Sequence, residues 1–341
     1  MAKASNYYYD QLNKEQQRAY YAIKEGLLKL QDSFAVPMLS KKELSDIYFQ
    51  IRMDCPEIFY SVTFSYRHYA DSTAVEMIPQ YLFLKDKIRE HRQAMESRVK
   101  KLARQAEKLD ELGKELFIHD FIVDNVKYDK LKKEYSHEII GALGNGVAVC
   151  EGIAKAVKVL CDELNIWCII ALSEANPEKG IKYRHAWNVI RIGGQYYHLD
   201  VTFDNTLSRD DTVRYDYVNL SDKQIFRDHE PVIWKVPACS DGDRFYYKEK
   251  KVSWTTVEEV QNRTKQAVKK GKVLLFHWRG GYLTKEILSE LLGIFAKEAK
   301  EKGKCANASV NWPQAVIRVR FEEGLGEEQL EMEEANEGEK A

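Results

Sequence analysis

The stretch that decides the fold of this chain reads Gly144-Asn-Gly-Val-Ala-Val-Cys150-Glu-Gly152. It leads directly into the apolar, helically spaced residues from Ile153 to Leu164, so a glycine-rich loop turns into a helix at a cysteine. The first N–H groups of a helix have no partner within the helix, and its dipole is positive there, which favours a thiolate over a thiol. A nearby histidine strengthens this effect. Cys150 is therefore a candidate nucleophile, and the ordinary alternative is a small buried hydrophobic residue.

A β-hairpin is predicted downstream, where two runs rich in β-branched and aromatic residues flank Gly193-Gly194. If Ile192 pairs with Gln195, then His185 lies opposite Thr202 and Trp187 lies opposite Asp200. Because side chains alternate between the two faces of a strand, one face carries His185, Trp187, Tyr196, His198, Asp200 and Thr202. Asp200 is then a diagonal neighbour of His185, about 7–8 Å away between backbone positions. Such a carboxylate can orient the imidazole while the other ring nitrogen meets a nucleophile.

His198 is an alternative base, because it shares the strand face of Asp200. Side chains two positions apart on one strand project in parallel, so they are less well placed to hydrogen-bond than a diagonal pair across two strands. We therefore favour His185. Taken singly, either histidine is explained equally well as a polar residue on a half-buried strand.

Three motifs resemble the transglutaminase-like superfamily, and bacterial-type members of it in particular. They are Gly-Val-Ala-Val-Cys150-Glu-Gly-Ile-Ala, His185-Ala-Trp-Asn-Val and His198-Leu-Asp200-Val-Thr-Phe-Asp204, and they occur in the family's order over about residues 110–205. The resemblance implies an α+β fold with a papain-like core. In that core, a helix that carries the cysteine packs on an antiparallel sheet that carries the histidine and the aspartate.

The same resemblance implies an activity. Cys150 is expected to be the nucleophile, His185 the general base and acid, and Asp200 the orienting carboxylate of a Cys-His-Asp triad. The predicted enzyme is a cysteine hydrolase or acyltransferase that attacks an amide bond of a peptide or protein substrate through a thioester. We expect protease-like hydrolysis rather than transamidation, because bacterial-type relatives more often cleave than crosslink. The alternative is a catalytically silent module that binds a peptide or protein on the same fold.

Periodicity and composition divide the chain into four parts. An N-terminal helix and hairpin unit, an α/β unit, covers residues 1–82, and the catalytic domain covers residues 83–235. A small C-terminal α+β domain covers residues 240–323, and a disordered acidic tail covers residues 324–341.

Several individual elements are predicted within these parts. A helix lies within residues 10–31, and a second helix begins at a capping box formed by Ser40 and Glu43. Strands at residues 58–69 and 74–84 pair with each other. The charged region 83–127 forms one long helix, or two helices joined near Gly113. The C-terminal domain contains strands at residues 245–252, 272–278, 306–310 and 314–321 and helices at residues 256–269 and 284–300.

Charge and cysteine content argue against several classes of protein. The 341 residues include 52 basic and 53 acidic ones, which disfavours binding to nucleic acid or to a membrane surface. No apolar run could span a bilayer and no secretory signal is recognisable, so we expect a cytoplasmic chain. The six cysteines show no zinc-ligand spacing, and the acidic residues show no calcium-loop spacing, so no metal or cofactor is expected. Five of the cysteines are expected to be reduced structural thiols. No pattern indicates the oligomeric state.

Overall fold

The computed structural model describes residues 6–208, 212–324 and 329–333. The helices are α1 (Lys14–Leu28), α2 (Lys41–Asp54), α3 (Lys85–Ala106), α4 (Glu111–Asn125), α5 (Cys150–Glu163), α6 (Val201–Leu207), α7 (Asp222–Ile225), α8 (Tyr246–Glu249), α9 (Val257–Lys270) and α10 (Lys285–Lys300). Short 3₁₀ turns occur at Tyr9–Gln11, Glu134–His137 and Pro177–Lys179, and a π-helical turn spans Ile140–Asn145.

The strands, in chain order, are β1 (Phe34–Pro37), β2 (Ser61–His68), β3 (Ala74–Tyr81), β4 (Lys127–Tyr128), β5 (Val147–Ala148), β6 (Cys168–Ser173), β7 (His185–Ile192), β8 (Gln195–Leu199), β9 (Val218–Leu220), β10 (Ser253–Trp254), β11 (Leu274–Trp278), β12 (Lys304–Asn311), β13 (Val316–Glu323) and β14 (Gln329–Glu333). Strands β1, β3 and β2 form one antiparallel sheet in that order, and β6 to β9 form a second antiparallel sheet.

The N-terminal elements follow the sequence closely. The Ser40 side chain accepts a hydrogen bond from the Glu43 backbone N–H at 3.2 Å, and the Glu43 carboxylate accepts one from the Ser40 N–H at 3.0 Å. This reciprocal pair is the predicted capping box, and it starts α2. Strands β2 and β3 pair in antiparallel register, as the alternation of their side chains indicates.

The charged region after β3 forms two helices that meet earlier than expected. Helix α3 ends at Ala106 and α4 begins at Glu111, whereas the sequence suggested a junction near Gly113. The Asp110 side chain accepts a hydrogen bond from the Gly113 N–H at 2.8 Å, so Asp110 caps α4 and Gly113 lies within its first turn.

One hydrophobic core extends from the N-terminal helices to the central sheet. It contains Ile23 of α1, Ile47 of α2, Val157 of α5 and Leu199 of β8. Residue 82 is the predicted boundary between the N-terminal unit and the catalytic domain. Because this core includes residues on both sides of that boundary, α2 is packed against the unit that carries the predicted triad. The division of the chain into domains stays a prediction.

The helix that begins at Cys150 lies on the central sheet. Most of its residues from Cys150 to Cys161 are buried, and the Asn188 amide of β7 donates a hydrogen bond to the Ala154 carbonyl at 3.0 Å. The predicted α+β class, with a cysteine-bearing helix on an antiparallel sheet, is confirmed.

The C-terminal part has a sheet of its own, in the order β10-β11-β13-β12-β14, and a separate core that includes Phe276, Leu291 and Phe295. The strand predicted at residues 245–252 was wrong. Tyr246–Glu249 form the short helix α8 instead, and Lys251 adopts a left-handed conformation with φ 57°, which ends the helix.

The predicted disordered tail was wrong for Gln329–Glu333, which form β14 parallel to β12. Glu333 is buried and pairs with Arg214 and Arg318, so charge pairing holds this strand although its sequence is polar. Residues 325–328 and 334–341 of that prediction lie outside the described residues.

Two further expectations concern membranes and thiols. Among the residues that the structure describes, no helix combines the length and the apolar character that crossing a membrane requires. Cys55, Cys161, Cys168, Cys239 and Cys305 are buried and reduced, as predicted for structural thiols.

Candidate active site

Cys150 is the first residue of α5, as the sequence predicts. The chain reaches it through Gly146, which adopts a left-handed conformation with φ 65°, and through the short strand β5. The Cys150 thiol lies 4.0 Å from the backbone oxygen of Arg184, the residue that precedes His185. The thiol is therefore placed beside the start of β7, and its residue is only 6% exposed.

The glycine two positions after Cys150 is required by close packing. A Cβ atom on Gly152 would lie 2.2 Å from the backbone oxygen of Ser136. That same oxygen accepts a hydrogen bond from the Val149 N–H at 3.0 Å. Gly152 thus lets the loop before α5 press against the helix start, which sets the position of Cys150.

The hairpin has the predicted register. Ile192 pairs with Gln195, and the pairs continue to Asn188 opposite Leu199. The tight turn at Gly193-Gly194 has positive φ angles of 58° and 85°, which glycine adopts without strain.

The hairpin ends earlier than predicted. Strand β8 stops at Leu199, so the prediction that Asp200 and Thr202 lie on the strand was wrong. The Asp200 Oδ1 accepts hydrogen bonds from the N–H groups of Thr202 at 2.9 Å and Phe203 at 3.1 Å. Asp200 is therefore the N-cap of α6, and the chain turns into a helix at that point.

The structure brings His185 and Asp200 into direct contact. The His185 Nε2 lies 2.6 Å from the Asp200 Oδ2, and both residues are buried. The two oxygens of the carboxylate have separate tasks, because Oδ1 caps α6 while Oδ2 binds the imidazole. Burial alone would raise the pKa of Asp200, but the neighbouring His185 and His229 lower it well below its usual range.

His229 is a residue of this site that the sequence analysis missed. Its Nε2 lies 2.9 Å from the same Asp200 Oδ2, and its Nδ1 lies 2.8 Å from the Asp228 Oδ1. Burial would lower the pKa of His229, but hydrogen bonds to these two carboxylates raise it. A histidine that donates from both nitrogens is an imidazolium, so His229 places a positive charge next to Asp200. No motif pointed to it, since only the tertiary fold brings it to Asp200.

His198, the alternative base, has other partners. Its Nδ1 accepts a hydrogen bond from the Trp187 indole N–H at 3.0 Å, and its Nε2 lies 2.8 Å from the Asp222 Oδ1. An accepting Nδ1 means that Nε2 carries the proton and donates it to Asp222. Burial lowers the pKa of His198, which agrees with a neutral ring. Trp187 also stacks on His185, with ring centroids 5.7 Å apart.

A buried ionic network surrounds the residue that follows Cys150. Glu151 lies 3.0 Å from the Arg52 guanidinium of α2 and 2.8 Å from the Lys155 ammonium. Glu138 binds the same two cations, at 2.5 Å and 2.8 Å. Burial would raise the pKa of Glu151, but Arg52 and Lys155 hold it well below its usual range. The network joins α2 to the start of α5, and sequence reasoning missed it.

Two groups of side chains could in principle hold a metal ion within the described parts of the chain. One is His185, Asp200 and His229, and the other is His198, Asp222 and Cys239. In the first group, the distances from the Nε2 atoms of His185 and His229 to the Asp200 Oδ2 are those of hydrogen bonds. In the second, the His198 Nε2 lies at hydrogen-bond distance, 2.8 Å, from the Asp222 Oδ1, and burial raises the pKa of the Cys239 thiol.

Comparison with known proteins gives one family. Residues 100–201 match the family model described as the transglutaminase-like superfamily. No curated protein was found to match the sequence. Similar solved structures include a candidate cysteine protease from Cytophaga hutchinsonii, at 16% identity and TM-score 0.27, where the match covers 41% of this chain and 61% of that one. Two others are a protein described as a TGase (10% identity, TM-score 0.30, 58% of this chain and 60% of that one) and a candidate protease from Parabacteroides distasonis ATCC 8503 (14%, 0.26, 41% and 36%).

This chain therefore spans less than two thirds of the length of each of those proteins. At these TM-scores the structural similarities carry no argument about fold or function. The family match is independent of them, and it contains the helix of Cys150, the hairpin with His185, and Asp200. Over residues 100–201, which are less than half of the chain, the sequence is thus similar to the transglutaminase-like superfamily.

Proposed function

We propose that this protein is a cysteine-dependent enzyme that attacks an amide bond of a peptide or protein and forms a thioester. The observation that carries the proposal is the buried hydrogen bond between His185 Nε2 and Asp200 Oδ2, next to a cysteine at a helix start. Because Asp200 occupies Nε2, the Nδ1 atom is the ring nitrogen that exchanges a proton with Cys150.

The first half of the reaction forms the thioester. The Cys150 thiol gives its proton to His185, and the thiolate attacks the amide carbon. The backbone N–H groups in the first turn of α5 stabilise the negative oxygen, and each such donor is worth about 2.7–4 kcal/mol. The C–N bond then breaks, and the His185 imidazolium protonates the departing amine.

The second half releases the acyl group. His185 removes a proton from water, or from a second amine, as that molecule attacks the thioester carbon. The C–S bond breaks, the sulfur leaves as thiolate, and a carboxylic acid or a new amide is formed. We favour water as the acceptor, which makes the reaction protease-like hydrolysis.

Thiol labelling tests the nucleophile. Iodoacetamide should modify Cys150 selectively below pH ~8, with the modified residue identified by mass spectrometry. Cys150→Ala should abolish this fast labelling, and Cys161→Ala, a matched change in the same helix, should leave it intact. Slow labelling of all thiols alike contradicts the proposal and favours the silent binding module.

Substrate profiling tests the reaction. Peptide libraries that include glutamine peptides are incubated with and without a labelled primary amine. New peptide carboxyl groups indicate hydrolysis, and incorporated amine indicates transfer. Both products should disappear in Cys150→Ala and persist in Cys161→Ala.

A further inference from the structure

A small cavity lies next to the hydrophobic cluster that contains Cys150, and part of its wall comes from outside the segment that matches the family. Its volume is about 210 Å³, and it is lined by the α2 residue Phe49 together with Arg184, Ile233 and Trp234. Arg184 is the residue whose backbone oxygen lies 4.0 Å from the Cys150 thiol. Phe49, Ile233 and Trp234 also pack against the hydrophobic cluster that contains Cys150. The cavity therefore adjoins the candidate active site through Arg184 and through this cluster, while Cys150 itself does not line it.

The half-buried apolar residues Phe49, Ile233 and Trp234 form the floor of this cavity, and the other five lining residues are polar or charged (Lys42, Ser45, Asp46, Glu174 and Arg184). The rings of Phe49 and Trp234 lie with their centroids 6.4 Å apart at an angle of 53°. The Arg184 guanidinium lies 5.7 Å from the centre of the Phe49 ring. Aromatic faces of this kind bury large apolar groups and prefer tilted contacts with other rings.

The charges at the rim neutralise each other. Lys42 pairs with Asp46 at 2.6 Å, one turn apart on α2. Arg184 forms two parallel hydrogen bonds to Glu174, at 2.8 Å and 2.6 Å. Since each cation already has a carboxylate partner, the rim offers no unmatched charge to an ionic side chain of a substrate.

The volume fits one side chain. Pockets that bind drug-sized molecules have volumes of about 300–1,000 Å³, so a cavity of about 210 Å³ is smaller than such a site.

The buried network of Arg52 with Glu138 and Glu151 holds α2 against α5. The α2 wall is therefore positioned by the same ions that surround the start of the Cys150 helix.

From these observations we infer that the cavity is a specificity subsite that binds one large apolar side chain, of the leucine or phenylalanine type, close to the amide that Cys150 attacks. This inference rests on the proposed function, because it assigns the substrate class to that site. It also gives the N-terminal helix α2 a direct part in substrate selection.

Thiol-directed peptide probes test the subsite on the full chain. Two series of acetyl-dipeptide chloromethyl ketones, X-Ala and Ala-X, carry Gly, Glu, Leu or Phe at X. The rate of alkylation of Cys150 is measured by mass spectrometry and divided by the rate with iodoacetamide, which has no side chain. In at least one series, the Leu or Phe probe should react at least about tenfold faster than the Gly or Glu probe.

Two variants locate the preference. Phe49→Ala removes part of the floor and should reduce the preference about tenfold. Ser45→Trp, at an exposed position of α2 that lines the cavity, should block it without removing any packing in the core. The iodoacetamide rate of each variant is measured in parallel and divides its probe rates, and Tyr282→Ala, an exposed residue of the C-terminal part, is the control that should change neither the preference nor the iodoacetamide rate.

The outcomes separate the two proposals. If iodoacetamide labels Cys150 selectively but the probes show no preference, or favour Glu, the subsite is refuted while the nucleophile stands. A preference that survives in both Phe49→Ala and Ser45→Trp also refutes the subsite. If Cys150 shows no selective labelling at all, both the subsite and the proposed function are overturned.

Discussion

Asp200→Asn changes the carboxylate that binds two histidines while keeping the shape of the side chain. In the protein, Oδ1 caps α6 and Oδ2 accepts from both His185 and His229. Asparagine has only one acceptor oxygen, so it can satisfy the helix cap or the imidazoles, and not both. We expect the cap to persist and the histidines to lose their acceptor.

The expected size of the effect follows from the lost hydrogen bond. A hydrogen bond to a charged group is worth about 1.5–3 kcal/mol, and one pH unit corresponds to about 1.36 kcal/mol. In the proposed mechanism the bond at 2.6 Å stabilises the His185 imidazolium, so its loss should weaken the imidazolium–thiolate pair proposed for His185 and Cys150. The midpoint of the pH profile for alkylation of Cys150 should therefore rise by about one to two units. Unfolding free energy should also fall by about 3–5 kcal/mol, because a buried ion pair is broken.

The assay measures the iodoacetamide rate at Cys150 from pH 5 to 10, with circular dichroism and urea denaturation to show that the variant is folded. Asp222→Asn is the matched control, because it removes the carboxylate partner of His198 at 2.8 Å. It should leave the profile unchanged. An unshifted profile in folded Asp200→Asn would refute the reasoning, and a larger shift in Asp222→Asn would identify His198 as the base.

Three further predictions concern groups around the site. His229→Gln removes a cation beside Asp200. The pH midpoint for Cys150 alkylation should therefore fall, whereas it should rise in Asp200→Asn. A rise of the midpoint in His229→Gln would mean that His229 is not protonated. Gly152→Ala should lower the free energy of unfolding in urea by about 1–3 kcal/mol and should slow the labelling of Cys150, because a Cβ atom there meets the Ser136 backbone. The control Gly293→Ala lies at an open helical position and should raise the free energy of unfolding by up to about 1 kcal/mol. Equal effects of the two changes would contradict the close packing at Gly152. Burial raises the pKa of Glu115 from 4.5 to about 7, so ionisation of this group lowers the free energy of unfolding of the wild type as pH rises through this range. Between pH 4 and 8, Glu115→Gln should therefore gain up to about 3 kcal/mol of stability relative to the wild type. A pH-independent difference between the two proteins in urea denaturation would refute this.

Local patterns predicted a large part of the fold. The register of the β7–β8 hairpin followed from Gly193-Gly194 and from the alternation of side chains, because a two-residue turn sets which residues face each other. The start of α2 followed from its capping box, and the start of α5 from the glycine-rich loop before Cys150. Each of these features depends on residues a few positions apart.

One error arose where two local signals compete. The segment after His198 has the β-branched residues of a strand, but Asp200 is also a good N-cap, and the helix forms because its side chain satisfies two backbone N–H groups. The error at Gln329–Glu333 has a different cause. These polar residues suggest a tail, but in the fold Glu333 pairs with Arg214 and Arg318, which are distant in the sequence. Neither partner is visible from the neighbouring sequence.

The sequence by itself determined the elements of the site: a cysteine at the start of a helix, a histidine on a strand of a hairpin, and an aspartate at the end of that hairpin. Only the tertiary structure decided which charged groups meet around them. Asp200 shares its carboxylate with His229, 29 positions further along the chain, and Arg52 joins Glu138 across 86 positions to hold α2 beside Cys150. The physical reason is the separation along the chain of the residues that interact. Backbone hydrogen bonding in helices and hairpins and side-chain periodicity are set by neighbours in the chain. Pairing of buried charges and closure of a cavity depend on how distant elements pack.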